Sequence, residues 1–468
     1  MATVFTHLHL SRWANSDSLG WLSSGDGHDG SGAGAVWRPS PGKRGAFLHG
    51  RLVERGGCGV RVRRLGGDRA GEIRLTRLLR NEAVKTEEMS AEAGRRTAER
   101  CAGRRVLAIQ DTTVVRSQGG GGLYLHPVLI VDADEGAILG LAHAEFLNRD
   151  KGVAASRRSK PVSAKQSARW LEGTRKASQV CASAAQVTSI CDREGDIFAA
   201  FADCPVGTDL LVRAAHDRAL EDGGRLFAQA DALPVAGRAK LDLPAKPGRK
   251  ARETQVEIRF MSVALARPRN GVAAGLPQTV SLTLVDVREL DPPPGESVHW
   301  RLLTTHGVKD AASAFAVVEL YRRRWVIEQL FRTLKTQGFD IEGLLIEDEA
   351  PLRRLVMAAL IAAVTVQQLV HARDGIQGPM PLRPMLDAFD PKDAPLIEAF
   401  CANLQGKTER QKNPHPKGSL AYAAWVCARL GGWTGYYGKP GPLVMLNGWL
   451  DFQAAKRGVT VLTAQKDV

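Results

Sequence analysis

Two apolar runs in this 468-residue chain each end in an aspartate: Ile109-Gln110-Asp111-Thr112-Thr113 and Ile190-Cys191-Asp192-Arg193-Glu194. A carboxylate at the end of a buried strand is held at a sheet edge by a rigid element. Two such strands placed side by side bring their carboxylates together. Hard divalent cations such as Mg²⁺ take oxygen ligands of this kind. Taken singly, either aspartate is more readily a cap for the turn that follows, because Asp is common there.

A third acid lies in the segment from Asp310 to Lys335, which reads as one long helix carrying Tyr321, Arg324, Glu328 and Lys335. At about 100° per residue, with Tyr321 at zero, Arg324 falls near about −60°, Glu328 near about −20° and Lys335 near about −40°. The four share a stripe about 60° wide. Val326, Ile327, Leu330 and Leu334 supply apolar surface elsewhere on the helix. A solvated face with i,i+4 pairing would also carry charges, but a phenol in such a stripe is unusual. The other reading is a third metal ligand, Glu328, flanked by groups that hold a phosphate backbone. Three carboxylates on separate elements can hold two ions about 4 Å apart, one activating an attacking water or 3′-hydroxyl and the other stabilising the leaving oxygen.

The elements that must position these residues follow from the pattern. Glu72 to about Cys101 reads as helical, with Leu75, Leu78 and Leu79 on one face. A β-rich block follows: 106–109, then 123–132 and 137–146 around the turn signal Asp132-Ala133-Asp134-Glu135-Gly136. After a polar, basic loop over 148–165 come a helix around Trp170, a strand over 187–191 and another helix from Asp196. Strand-like runs return at 210–213, 256–261 and 280–287. Beyond the long helix the chain reads as helical to about residue 430, and the Gly- and Pro-rich stretch 431–441 as irregular. The expected organisation is a poorly patterned basic segment over 1–75, a helical lead-in with the first part of an α/β core over 76–203, and a β-rich insertion over 204–305. The rest of the core occupies 306–372 and a C-terminal helical region 373–468.

Composition narrows the partners. The net charge is +14, so polyanions are attracted, nucleic acid first and an anionic membrane second. The seven cysteines are scattered with no C-x2-C spacing, against a structural zinc site or a disulfide framework and in favour of a reducing cytoplasm. No signal peptide is expected at the N-terminus. The apolar run from Leu355 to Val370 contains Gln367 and Gln368 and is expected to be a buried helix rather than a membrane span.

Tyr321-x2-Arg324-x3-Glu328-x6-Lys335 resembles the YREK signature of bacterial insertion-sequence DDE transposases of the IS-four type. Asp192-Arg193-Glu194-Gly195-Asp196 is similar to that family's "DREAD" segment around its second catalytic Asp, and Ile109-Gln110-Asp111-Thr112-Thr113 to the segment around its first. Asn413-Pro414-His415-Pro416 and Leu430-Gly431-Gly432-Trp433 are similar to C-terminal segments of such enzymes, so the resemblance runs from about Thr76 onward. It implies an RNase H-like core interrupted by a mostly β insertion, with two Mg²⁺ or Mn²⁺ ions on Asp111, Asp192 and Glu328. It further implies double-stranded DNA as partner (transposon ends and target), a homodimer built through the C-terminal helices, and cut-and-paste transposition in the bacterial cytoplasm, at the nucleoid.

Several relatives form a hairpin at the transposon end with a base flipped from the stack. Trp300, in His299-Trp300-Arg301-Leu302-Leu303, matches the residue that stacks on that base, though a core aromatic is an equal reading. Arg213 resembles a DNA-contacting arginine, and Tyr321, Arg324 and Lys335 would contact phosphates. The resemblance lapses between about Trp21 and Thr76, a Gly/Arg-rich stretch that we expect to be out of the ancestral reading frame. Two alternatives stay open: a transposase remnant acting only as a DNA-binding dimer, and a metal-dependent nuclease without strand transfer.

Overall fold

The computed structural model of the chain describes residues 62–66, 68–118, 121–149, 167–243, 251–269, 275–294, 297–336, 338–375, 382–436 and 438–464. Most of the 1–75 segment and nearly all of the basic loop 148–165 lie outside them, as does most of the span expected to be out of frame. The chain divides into two compact units, 97–328 and the remainder.

Among the described residues, unit 97–328 is built on one mixed sheet of ten strands. These are β1 (Arg105–Gln110), β2 (Thr113–Gln118), β3 (Gly121–Asp132), β4 (Ile138–Arg149), β5 (Gln186–Cys191), β6 (Thr208–Arg213), β7 (Gly237–Leu243), β8 (Arg252–Ala266), β9 (Thr279–Glu289) and β10 (His299–Thr304). The order is β2-β3-β1-β5-β6-β10-β9-β8-β7, with β4 on β3. The central strands β1, β5 and β6 run parallel and their neighbours antiparallel. β1 and β5 are buried along almost their whole length, as strands covered on both faces are. This central mixed sheet with flanking helices is consistent with an RNase H-like DDE domain. The strands of 204–305 extend the same sheet outward from β6 rather than forming a sheet of their own.

The helix Ala168–Val180 packs on β1, β3, β4 and β5. Its Ala177, and Cys181 just past its end, meet Val106, Ala108, Val128, Ile130 and Val187 in one apolar cluster. Trp170 joins a second cluster with Phe198, Phe201, Leu210, Val212, Leu284 and Leu303. The β3–β4 turn is held by Asp132, whose Oδ1 accepts from the amides of Asp134 (2.8 Å) and Glu135 (2.9 Å). Such side-chain-to-backbone bonds are the reason Asp marks turns. Arg104 donates to Asp132 Oδ2 at 2.7 Å.

The expected single helix from Asp310 is two: Ala311–Arg322 and Trp325–Leu334. Asp310 starts the first with a capping box to Ser313. At the break the amides of Arg323, Arg324, Val326 and Ile327 bond three residues back, to Leu320, Tyr321, Arg323 and Arg324. That tighter winding takes about three residues per turn, so an angle counted at about 100° per residue from Tyr321 does not carry through to Lys335. The side chains account for the break. Arg323 donates to the carbonyls of Asp132 and Asp134 at the β3–β4 turn, and Arg324 turns to Asp111.

The other unit is helical. Leu75, Leu78 and Leu79 are buried on one face of Arg69–Leu79, as their spacing predicts, with Asp68 capping the amide of Gly71 at 2.6 Å. The apolar run lies in the helix Glu349–Ala372, which is long and apolar enough to cross a membrane; 89% of its most apolar window is buried inside the protein. It packs against Arg69–Leu79, Leu420–Leu430 and Pro442–Ala464. Gly431 and Gly448 lie where the last two of these approach closely: a Cβ on Gly448 would fall 1.6 Å from the carbonyl oxygen of Cys427. The stretch 431–441 holds no regular element among its described residues, and the long helix Pro442–Ala464 follows it.

Candidate active site

β1 and β5 are adjacent and parallel, with Ile109 opposite Ile190. Two residues on along each strand come Asp111 and Asp192, so register alone places the two aspartates at matching positions beyond neighbouring strand ends. Each is oriented by a nearby amide. Thr112 N–H donates to Asp111 Oδ1 at 2.7 Å, and Glu194 N–H donates to Asp192 Oδ1 at 2.8 Å. The cap reading and the ligand reading are therefore compatible: each carboxylate keeps a second oxygen for other partners.

Glu328 enters through Arg324. The guanidinium donates from Nη1 to Asp111 Oδ2 at 3.0 Å and from Nη2 to Glu328 Oε1 at 2.6 Å. One cation thus ties the β1 aspartate to the helix glutamate. Burial pushes the Asp111 carboxyl up to about 6; Arg324 opposes the shift, and the negative charges of Asp192 and Glu328 add to it. Asp192 and Glu328 therefore both stand near enough to Asp111 for their charge to act on it. Burial works against the charge of Arg324, but Tyr321, Asp111, Glu328 and Asp192 around it outweigh burial and raise its pKa.

Tyr321 is 3% exposed. Burial raises its phenol, against the pull of Arg324 and Arg213. Arg213, at the end of β6, donates to the carbonyl of His299 at 3.1 Å. Its pKa is lowered by burial, supported by Tyr321, and lowered further by Arg193 and Arg324. Arg193 and Arg324 thus stand near enough to Arg213 for their like charges to oppose its own.

Trp300 is 6% exposed and meets Tyr321 edge-on at 5.4 Å between ring centroids. A base can stack on its face only after the groups covering it move. Lys335 lies in the other unit, where its ammonium pairs with Glu342 at 2.7 Å.

Among the described residues no three His, Cys, Asp or Glu side chains stand together closely enough to hold a metal ion as placed. Arg324 explains this, because its guanidinium takes the position between Asp111 and Glu328. The donor set nonetheless suits a divalent cation: three carboxylates with hard oxygens, two of them bonded to one guanidinium and the third near enough for its charge to act on Asp111. A cation bound there would take over the charge neutralisation that Arg324 performs.

Sequence reasoning missed the groups that hold the aspartates. Arg169, on the helix Ala168–Val180, donates from Nε to Thr112 Oγ1 at 3.0 Å and from Nη2 to the Glu194 carboxylate. Asp196, whose side chain is fully buried, accepts from the amides of Ala215 (2.8 Å) and His216 (3.0 Å) and from Arg218. It fastens the loop after Asp192 to the chain leaving β6. Glu194 and Asp196 were visible within the Asp192–Asp196 motif; an arginine next to a tryptophan on an amphipathic helix carried no such signal.

Residues 201–365 match the model of a family described as the transposase DDE domain. The matched span contains Arg213, Trp300, Tyr321, Arg324, Glu328 and Lys335, whereas Asp111 and Asp192 precede it and join the site through the β1–β5 register. Enzymes of this family act on DNA and generally use divalent metal ions. The match, covering about a third of the chain, supports a DDE transposase.

Proposed function

We propose that this protein is a DNA transposase of the cut-and-paste type, cleaving transposon ends and joining them to target DNA, with Asp111, Asp192 and Glu328 as its catalytic carboxylates. The observation that carries this reading is the Arg324 guanidinium bonded to both Asp111 and Glu328, with Asp192 close enough to raise Asp111. The three acids would hold two divalent ions, Mg²⁺ or Mn²⁺. Such ions lower the pKa of an attacking water or 3′-hydroxyl and stabilise the leaving oxygen of an in-line displacement.

The chain's own residues do the rest. The amides of Thr112 and Glu194 keep Asp111 and Asp192 facing the reacting phosphate. Arg324, Arg213 and Tyr321 bind the phosphates beside it, and charge-assisted bonds of this type fix the backbone's position in the strand. Lys335 serves as a further phosphate contact. Trp300 receives a flipped base once its ring is uncovered. The acting form is a homodimer assembled through 373–468, in the bacterial cytoplasm.

The test is cleavage of DNA carrying the element's own ends, in Mg²⁺, by wild type and Glu328→Ala. Wild type cleaves, and the variant loses on the order of a thousandfold or more in rate, as when a group that stabilises the transition state is removed. No cleavage by either folded protein would move the reading to a DNA-binding dimer without catalysis. Equal cleavage by both would remove Glu328 from the site.

A further inference from the structure

The ladder between β1 and β5 ends at the pair Ile109–Ile190. The two aspartates lie beyond it, on loops that this ladder no longer ties together. The Arg169 side chain spans the gap. Arg169 is 5% exposed, and its planar guanidinium reaches Thr112, which follows Asp111, and Glu194, two residues after Asp192. These are the same two residues whose amides orient the aspartates. The guanidinium therefore grips the carrier of each carboxylate.

The protons around Arg169 can be assigned. Arg169 Nε can only donate, so Thr112 Oγ1 accepts and its own proton goes to His126 Nδ1 at 2.9 Å. His126 is then neutral with its proton on Nε2, donated to Gln110 Oε1 at 3.2 Å. Gln110 Nε2 donates to Thr174 Oγ1 and Ser189 Oγ, both at 2.8 Å. Thr174 stands on the same helix as Arg169, and Ser189 lies on β5 opposite Ala108. The circuit closes through His126, Gln110, Thr174 and Ser189, all buried, and it fixes where the Arg169 fork sits.

We propose that Arg169 is the positioning residue that sets the spacing between Asp111 and Asp192, by clamping Thr112 and Glu194 to one guanidinium. The inference rests on the reading of the two aspartates as metal ligands. A lysine keeps the charge but offers a point donor in place of a rigid fork, so it cannot serve both partners in one plane. Removing a group that orients metal ligands from behind typically weakens metal affinity by about 10–100-fold.

The test is Mn²⁺ binding by the full-length protein, read from the loss of the free-ion signal in electron paramagnetic resonance, with circular dichroism to check folding. Arg169→Lys and Arg169→Gln are expected to bind Mn²⁺ at least about tenfold more weakly than wild type. Glu194→Gln is expected to weaken it similarly, and Arg169→Gln/Glu194→Gln to be little worse than either alone, the mark of two groups acting through each other. If the Arg169 variants do not fold, Glu194→Gln and Thr112→Val carry the same comparison. Wild-type affinity in folded Arg169→Lys, or full additivity in the double variant, overturns the proposal while leaving the metal site standing. No Mn²⁺ binding by wild type, or binding unchanged in Asp192→Asn, overturns the metal reading and this inference with it.

Discussion

Charge is concentrated at a few residues in this site, and their neighbours decide its state. Burial raises Asp111 to about 6, while the acids and the phenol around Arg324 keep that guanidinium charged, so a fixed positive charge stands beside Asp111 and Glu328. Behind them the buried His126 is the opposite case. Burial, aided by Arg169 and His143, holds its pKa well below the ordinary value. The Trp170 ring packs edge-on to it at 4.7 Å, and Glu145 is its cross-strand neighbour on β4.

A histidine depressed in the folded state takes up its proton more readily when unfolded. Its contribution to stability is therefore present above about pH 6.5 and lost as pH falls below that. His143, His306 and His415 are also lowered, so comparison with a variant isolates the share of His126. The thermal midpoint of wild type should fall between pH 8 and pH 5.5 by more than that of His126→Gln. The difference corresponds to at most about 1.4 kcal/mol per pH unit. Parallel pH profiles for the two proteins would show that His126 is not held neutral.

At the scale of elements, the site depends on how closely the helix Ala168–Val180 lies on β1. Gly173 makes that approach possible. A Cβ there would stand 2.3 Å from Gln110 Oε1 and 3.1 Å from Val128 Cγ2. Two effects oppose each other in Gly173→Ala. The helix gains about 1 kcal/mol in propensity. Against this, Gln110 must leave a buried network in which its oxygen and nitrogen serve His126, Thr174 and Ser189, and each buried polar group left unpaired costs about 1–3 kcal/mol. The second effect should win, with a net loss of about 1–2 kcal/mol seen as a lower urea midpoint. An unchanged or higher midpoint would mean that the network yields easily and does not hold Arg169 in place.

The same scale explains the broken helix. The segment from Asp310 to Lys335 reads as one helix, and Val317, Val318, Ile327 and Leu330 along it are indeed buried. The turn at Arg323–Arg324 comes from interactions distant in sequence, with Asp111 and the β3–β4 turn, which no local pattern contains.

For the whole molecule the relevant quantity is the net charge of +14. Binding to a DNA duplex that neutralises about 6–10 phosphates should weaken by about 10³–10⁵ between 50 and 200 mM salt. Replacing Arg213 or Lys335 by Ala should reduce the slope of log affinity against log salt by about 1 for each phosphate that the protein then leaves unneutralised. Fluorescence anisotropy over a salt series reads both. A salt-independent affinity would remove the phosphate backbone as the basis of binding, and an unchanged slope would mean that the substituted residue does not touch a phosphate.

The order and spacing of acids and cations were legible in the sequence because chemistry of this kind depends on residue type and on short-range geometry. Asp111 and Asp192 at strand ends, and Glu328 four residues after Arg324, follow from hydrophobic runs and helical spacing. The Asp132–Gly136 turn, the buried face of Leu75, Leu78 and Leu79, and the burial of Glu349–Ala372 were legible for the same reason. Tertiary structure decided the rest. The pairing of β1 with β5 brings two aspartates 81 residues apart into register, and β10 on β6 carries the later strands into the same sheet. Arg324 becomes the counter-ion of Asp111, Trp300 is covered by Tyr321, and Arg169 joins the two aspartate loops. Each of these is an interaction between segments far apart in the chain, and its energy arises only when packing brings the partners out of water and within hydrogen-bonding distance.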